Sequence, residues 1–536
     1  MQIKTPDDLL KITWQRIPVN IKVAFFSAFL IGLFTHLFMF TNTLPTHDEV
    51  KVMIGTLQWA TAINGRWLSD VAMLITSIFS MPWVNGLMSI VFLSISTCLI
   101  ISIIRVKGYV NIILISGVMV TMPVVAGIFA FMQVAAPYYL SLLLICLAAF
   151  VATRYKFGFI FATIPIVLSM AIYQAFYGVV VALLILVLIL DVLRNEMSWQ
   201  KILFKGVRFV GTLFAGMVMY LVSVRIFYPD GLSDYQGLDQ MGQMSISDFP
   251  NRILTAYREI IKFFVVDSRN FHYSFMNIVF VLAFVACAIL ILLWIIRKQI
   301  HKEPIKLLLL GALLVLFPLG CNMIYLMGPT EVHDLMIYGT VLILVFLLVV
   351  ADLYHKEKDD KGKDNVAAEE SEASKKTPYG KIAGISTWII TLAMALTMYN
   401  YWIVSNQAYF KLNIAFQTTY AQSILLISHI QSVEGYTYDK DIVIVGSPRI
   451  PEGIPELRDI TIHGALGPEL FGSWTYPFFL RHYLNFTQNV EHLRVSDIRY
   501  GDHEFPDIVR EMPIFPDAGS IAIIDGVIYV RFAYID

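Results

Sequence analysis

Charge is scarce in this sequence. Only 15% of its 536 residues are Asp, Glu, Lys or Arg, where a soluble chain carries about a quarter. The hydrophobic share is 57% and the mean hydropathy +0.68. That balance excludes an ordinary soluble globular protein and predicts a chain that crosses a membrane many times. No sign of charge dominates either: the net charge is −1, so there is no electrostatic footprint for nucleic acid. Cysteine is nearly absent. Cys98, Cys146, Cys287 and Cys321 all fall in apolar runs, where they read as small core residues and not as a disulfide framework. The first 21 residues are polar and mixed in charge, without a short apolar region and a small-residue cleavage site. The first apolar run is therefore expected to remain as a membrane helix.

What is present is a series of apolar runs of the length that crosses a hydrocarbon core, roughly 17–25 residues. They fall at 22–41, 84–104, 110–131, 137–153, 157–172, 174–193, 208–227, 273–296, 306–326, 334–353 and 382–404, which predicts about eleven transmembrane helices. With the N-terminus inside, more than half of the 39 basic residues lie in inner segments. This bias favours an inside N-terminus and an outside C-terminus. Residues 354–381, "YHKEKDDKGKDNVAAEESEASKKTPYGK", are charged and poor in apolar side chains, so a flexible inner linker is expected.

Two domains are predicted: a transmembrane unit over 1–404 and an outer α+β domain over 405–536. "NQAYFKLNIAFQTTYAQSILLISHIQSV" has apolar residues at helical spacing and should extend the last span outward. "DIVIVGS" reads as a buried strand, "YPFFLRHYL" as a short helix, and "GSIAIIDGVIYVRF" as a hairpin turning at Asp525-Gly526. The segment holds no glycine-rich phosphate loop and no HExxH, so a cap or an acceptor-binding role fits it best.

"THDEV", residues 46–50, follows directly on the first apolar run. Ionisable groups at that depth are costly and point to function. Val50, Met53, Ile54 and Leu57 share one helical face. After Asn64-Gly65, Leu68, Val71, Ala72 and Ile75 do the same. Two interfacial helices joined by an Asn-Gly turn are predicted, with Asp48 at one end and Arg66 at the tip. Arg pairs with phosphate oxygens and a carboxylate can accept a hydroxyl proton, a combination that suits a lipid-phosphate-linked sugar. The plainer reading is that charges flank a span as solvated anchors, and Glu49 and Lys51 read that way. His47, Asp48 and Glu49 make a poor metal site, because adjacent helical residues do not face one point; a divalent metal has no motif here to support it.

Other polar residues gather at the same predicted ends of the spans. They are Gln133, Tyr138, Tyr139, Tyr173, Gln174, Tyr177, Arg225, Asn322, Tyr325, His333 and Asp334. The tyrosines fit an interfacial belt. The Gln, Asn, Asp and Arg side chains do not, and they predict a polar cavity open to one face. A pore would need polar lining through both leaflets. The loop 228–272 is rich in Asp, Gly, Gln and Ser and is equally readable as a cover for the site or as an ordinary surface loop.

The segments "THDE", "NGRW", "SMAIYQAFYG" and "WIVSNQAYFKLNIAFQTTYAQSILLISHI" resemble, in chain order, the serotype-converting glucosyltransferases of O-antigen-modifying phages and their bacterial relatives. These are similar to the GT-C class of polytopic membrane glycosyltransferases. The resemblance implies transfer of glucose from undecaprenyl-phosphate-glucose to O-antigen or another surface polysaccharide, on the outer side of a bacterial inner membrane. No nucleotide site is expected, since the donor is the lipid-linked sugar, and a divalent metal stays open without a motif to support it. The resemblance also implies a separate bactoprenol glucosyl transferase and a flippase that supply the donor. The family's catalytic acid falls on Asp48, with Glu49 as neighbouring candidate because relatives tend to carry a second aspartate there. Arg66, Tyr173 and Gln174 fall on its donor-binding motifs, and Arg225 is a further candidate for the phosphate. His47, Gln133, Asn322, His333 and Asp334 would line the cavity. Two alternatives stay open: a GT-C transferase acting on lipid A or protein, and a polysaccharide flippase without chemistry.

Overall fold

The computed structural model describes residues 5–52, 64–76, 78–232, 246–266, 271–327, 332–361, 378–446, 475–493 and 505–533. Helix α1 (Pro6–Arg16) begins with a capping box: the Thr5 hydroxyl accepts from the Asp8 amide at 3.2 Å and the Asp8 carboxylate from the Thr5 amide at 3.1 Å. The first span, α2 (Val19–Thr41), leads into the short α3 (His47–Val52). After α4 (Ser69–Met73) come α5 (Pro82–Ile104) and α6 (Tyr109–Thr121). Pro123, without an amide hydrogen, opens α7 (Pro123–Phe129), bent 42° from α6. Next are α8 (Met132–Arg154), α9 (Gly158–Phe161), α10 (Thr163–Ile172), α11 (Tyr177–Arg194) and α12 (Trp199–Phe227).

Among the described residues, eight helices are long and apolar enough to cross a membrane, or nine if the bent pair α6–α7 counts as one span. The other two of the eleven apolar runs, 157–172 and 334–353, fall on shorter helices, so length and composition alone do not confirm eleven. Exposed Phe34, Phe214, Leu308 and Trp388 lie on these helices, as expected of surfaces that face lipid. Where helix meets helix the contacts are close. Lipid tails give no hydrophobic drive for association, so packing and polar ties hold the bundle. One such tie is Asp352. Its carboxylate accepts from the Lys107 amide (3.0 Å), the Gly108 amide (2.8 Å) and Asn111 Nδ2 (3.1 Å), and so caps the start of α6 from a different helix. The four cysteines are free and buried.

Beyond α13 (Phe249–Ile261), α14 (Phe275–Arg297), α15 (Pro304–Cys321) and α16 (Ile324–Met327) runs α17 (Val341–Lys361). The predicted linker thus starts later than its composition suggested: 354–361 is helical, because the helix begun in the membrane simply continues. Residues 362–377 lie outside the described residues. Helix α18 (Pro378–Gln431) is 54 residues long, about 80 Å at ~1.5 Å per residue. That is far more than a bilayer core of ~30 Å, so the helix carries the C-terminal segment away from the membrane.

There a four-stranded sheet is ordered β2-β1-β4-β3, from β1 (Ile442–Val445), β2 (Val490–Leu493), β3 (Ile521–Ile524) and β4 (Val527–Arg531). Strand β1 pairs parallel with β2 and β4, and β3 with β4 antiparallel across the Asp525-Gly526 turn. Asp525 and Gly526 both have positive φ, 50° and 82°, the backbone that tight hairpin turn requires. Helix α19 (Tyr476–Leu484) packs on β2 and α18, and also on α3. Its buried Tyr476, Phe479 and Leu480 join the outer sheet to the end of α18.

Candidate active site

The segment "NGRW" is bent inward and locked. The Arg66 Nε donates to Gln174 Oε1 at 3.1 Å and its Nη1 to the Tyr138 hydroxyl at 2.9 Å. The guanidinium lies over the Tyr173 ring, 5.1 Å from its centre, and Tyr173 is stacked on Tyr138 at 3.9 Å. Gln174 spends its amide nitrogen on the Asn64 carbonyl (2.8 Å) and the Tyr220 hydroxyl (2.9 Å). Tyr220 in turn donates to the Gly65 carbonyl at 3.2 Å. Trp67 donates to the Ser223 hydroxyl at 3.0 Å and stacks on Phe227 at 4.5 Å. The Arg66 partners named here fix the fork of the guanidinium. Arg66, expected at the tip of the turn, is half-buried and held by Tyr138 of α8 and by Gln174 at the start of the Gln174–Arg194 span.

Gly65 makes this turn possible. Its φ is +77°, and an added Cβ would meet the Tyr220 hydroxyl at 2.8 Å and Gln174 Nε2 at 3.3 Å. Both the backbone and the space demand glycine.

The two acids part company. Asp48 is exposed. Glu49 is 4% exposed and is no solvated anchor. Its carboxylate accepts from the Ser80 hydroxyl, from the Met132 amide at 3.3 Å and from the Gln133 amide. It therefore caps the N-terminus of α8, where unpaired amides and the helix dipole favour an anion. Loss of hydration outweighs these bonds and pushes its pKa up to about 7. The carboxyl also faces Tyr483 of α19, whose buried hydroxyl is pushed up by burial and by the Glu49 charge. Next to it the His482 ring donates to the Val50 carbonyl at 2.9 Å, and Lys51 lies over the Phe478 ring at 5.8 Å. The C-terminal domain thus grips the acidic segment directly.

Helix α8 connects the two halves. Glu49 sits on its first residues and Arg66 on Tyr138, about 9 Å further along at ~1.5 Å per residue. Gln133 contributes its backbone to Glu49 and its side chain to the Ile78 carbonyl at 3.1 Å.

Sequence reasoning placed Arg66, Tyr173 and Gln174 together, and they are together. Of the interfacial helices, α4 is present with Val71 and Ile75 exposed, while Met53, Ile54 and Leu57 lie outside the described residues. So do residues 233–245 and 267–270 of the 228–272 loop. Arg225 is exposed and stands outside this hydrogen-bond set. Tyr139 is buried against Phe129, and Tyr177 donates to the Leu213 carbonyl at 3.0 Å. Asn322 donates to the Ala256 carbonyl at 3.0 Å, so it ties α15 to α13 and does not reach the cluster. Tyr325 is half-buried in α16. His333 and Asp334 are half-buried at the start of a short 3-10 helix that packs on α7. The His47 side chain lies outside the description. Among the described residues no three His, Cys, Asp or Glu side chains group as a metal site. Missed from the sequence were Ser80, Tyr220 and Tyr483; each is an isolated polar residue whose partner lies far along the chain.

A family model described as "Glucosyl transferase GtrII" matches residues 37–349, more than half of the chain. The chain belongs to the glucosyl transferase GtrII family. It is therefore a glycosyltransferase, with the helices of a multi-pass membrane protein. The matched stretch holds the acids on α3, the Arg66 cluster and most of the spans, while the C-terminal sheet lies beyond it. No curated protein and no solved structure matches the chain.

Proposed function

We propose that this GtrII-family enzyme moves glucose from a polyprenyl-phosphate carrier, undecaprenyl-phosphate-glucose, to O-antigen or a comparable surface polysaccharide. The observation that carries this reading is the Arg66 guanidinium. It is presented by Gln174 and Tyr138 at the end of the span bundle, one helix segment away from two acids. Arg66 takes the donor phosphate and stabilises the charge that grows on it as it leaves. Asp48, exposed beside the anchored Glu49, accepts the proton of an acceptor hydroxyl. That oxygen forms a bond to C1, the bond from C1 to the phosphate oxygen breaks, and the polyprenyl phosphate departs with the electron pair. Such a single displacement inverts the anomeric centre. Glu49, with its carboxylate spent on Ser80 and the start of α8, holds the loop in place.

The same reading gives eleven crossings in a GT-C-like arrangement. Tyr173 at the end of α10 lies beside Tyr138 near the start of α8, so α9–α10 brings the chain back across. Tyr338 donates to the Met119 carbonyl at 2.9 Å while Asp352 caps the opposite end of α6, so α17 runs the full depth of α6. With the N-terminus in the cytoplasm of a bacterial inner membrane, the acids, Arg66 and the outer domain all face outside. A membrane enzyme that loads the carrier and a flippase that turns it over would supply the donor.

The test is transfer by membranes holding the unmutated chain, with glucosyl-phosphoryl-undecaprenol or a nucleotide glucose as donor. Transfer from the lipid-linked donor alone is expected. Transfer from the nucleotide sugar alone would overturn the proposed donor.

A further inference from the structure

A second site lies at the other end of the same helices. Tyr138 and Thr153 are both on α8, 15 residues and so roughly 22 Å apart along its axis. Around Thr153, the loop before α9 and the first turns of α12 enclose a cavity of about 300 Å³. Four cations line it: Lys156, Lys201, Lys205 and Arg208. Its walls include the rings of Phe159 and Phe204, and the Arg208 guanidinium lies 4.3 Å from the centre of Phe204 and 5.3 Å from that of Phe159. Lys205 is steadied by Asp191 at 2.7 Å. The Thr212 hydroxyl donates to the Phe159 carbonyl at 2.8 Å and pins α9 to α12. At the mouth of the cavity the Tyr155 and Phe204 rings, which line it, are exposed.

We infer that this cavity binds the phosphate of an anionic phospholipid in the leaflet opposite the Arg66 cluster. Scattered basic residues at a membrane surface need only solvation. Here four converge on one concave space between helices and a loop, with aromatic walls whose exposed rings acyl chains can lie against. A basic pocket between spans with that geometry recognises anionic headgroups. A soluble anion would use the cations and leave the exposed Tyr155 and Phe204 rings unused, which favours the lipid.

The experiment is thermal unfolding of the full chain in neutral detergent after lipid removal. Phosphatidylglycerol, phosphatidylcholine and inorganic phosphate are added separately. Phosphatidylglycerol is expected to raise the midpoint by about 3 °C once it is well above its dissociation constant, and the other two to leave it unmoved. The pair Lys201→Gln with Arg208→Gln, both at exposed positions, should abolish most of that shift. Lys302→Gln, an exposed lysine elsewhere in the chain, should keep it. An equal shift in the double variant, or an equal shift with phosphatidylcholine, would overturn the site. A shift reproduced by inorganic phosphate would overturn the lipid as its occupant.

Discussion

Arg66 and Gln174 stand 108 positions apart and meet at 3.1 Å, guanidinium nitrogen to amide oxygen. The same Gln174 amide holds the Asn64 carbonyl and the Tyr220 hydroxyl. One buried side chain thus fixes the loop after the first span, the middle of the bundle and the end of α12 in a single geometry. Arg66→Ala is expected to lower kcat/KM for the lipid-linked donor by about 100-fold or more, the usual cost of one transition-state donor. Arg66→Lys should fall between, since a point charge cannot reproduce the fork to Gln174 and Tyr138. A lysine variant with unmutated activity would show that charge alone suffices.

Gly65 should tolerate no side chain. Gly65→Ala puts an L residue at φ +77° and its methyl 2.8 Å from the Tyr220 hydroxyl. The left-handed backbone alone costs roughly 1–2 kcal/mol. A lower unfolding midpoint and loss of transfer together are expected; an alanine variant active and as stable as the parent would contradict the turn described here.

Glu49 makes stability depend on pH with a definite sign. Its pKa rises from 4.5 to about 7 in the folded chain, so the folded state holds the proton more tightly than the unfolded state. The stabilisation is fully present below pH 4.5 and is lost as pH rises through 7, an effect of about 3 kcal/mol at most. Unfolding midpoints measured between pH 5 and 8 should fall with pH in the parent. They should fall less in Glu49→Gln, which does not titrate. Identical slopes would mean Glu49 is not the group responsible.

His482 and Val50 link the C-terminal segment to the acidic segment through one hydrogen bond of 2.9 Å. Its loss in His482→Ala should cost about 1 kcal/mol of docking. Faster amide hydrogen exchange over residues 47–52 is the expected reading. Unchanged exchange there would mean the Phe478 and Tyr483 contacts hold the segment without it.

Much of the frame was legible because its signals are local. Each of the eleven apolar runs falls on helix, α18 continues to Gln431 as its spacing indicated, and Asp525-Gly526 turns a hairpin. The motif around Tyr173 and Gln174 was visible beside "NGRW". The burial of Glu49 was not, because it comes from Ser80, the amide of Met132 and Tyr483, which lie far along the chain. Next to Asp48 and Lys51, a third charged residue looked like another solvated anchor. Strand β2, in "NVEHLR", alternates too weakly to stand out, and becomes a strand by pairing with β1. Arg225 carries the right charge at the right depth, but its helix turns Tyr220 and Phe227, not Arg225, toward the loop.

The most direct test concerns Asp48. Sugar transfer from glucosyl-phosphoryl-undecaprenol would be measured in membranes carrying Asp48→Asn and the parent at matched expression, with donor binding measured alongside. A general base contributes roughly 10²–10⁴-fold, so transfer should fall by about that factor while donor binding through Arg66 is kept. Transfer at the parent rate in Asp48→Asn would contradict the assignment of the base.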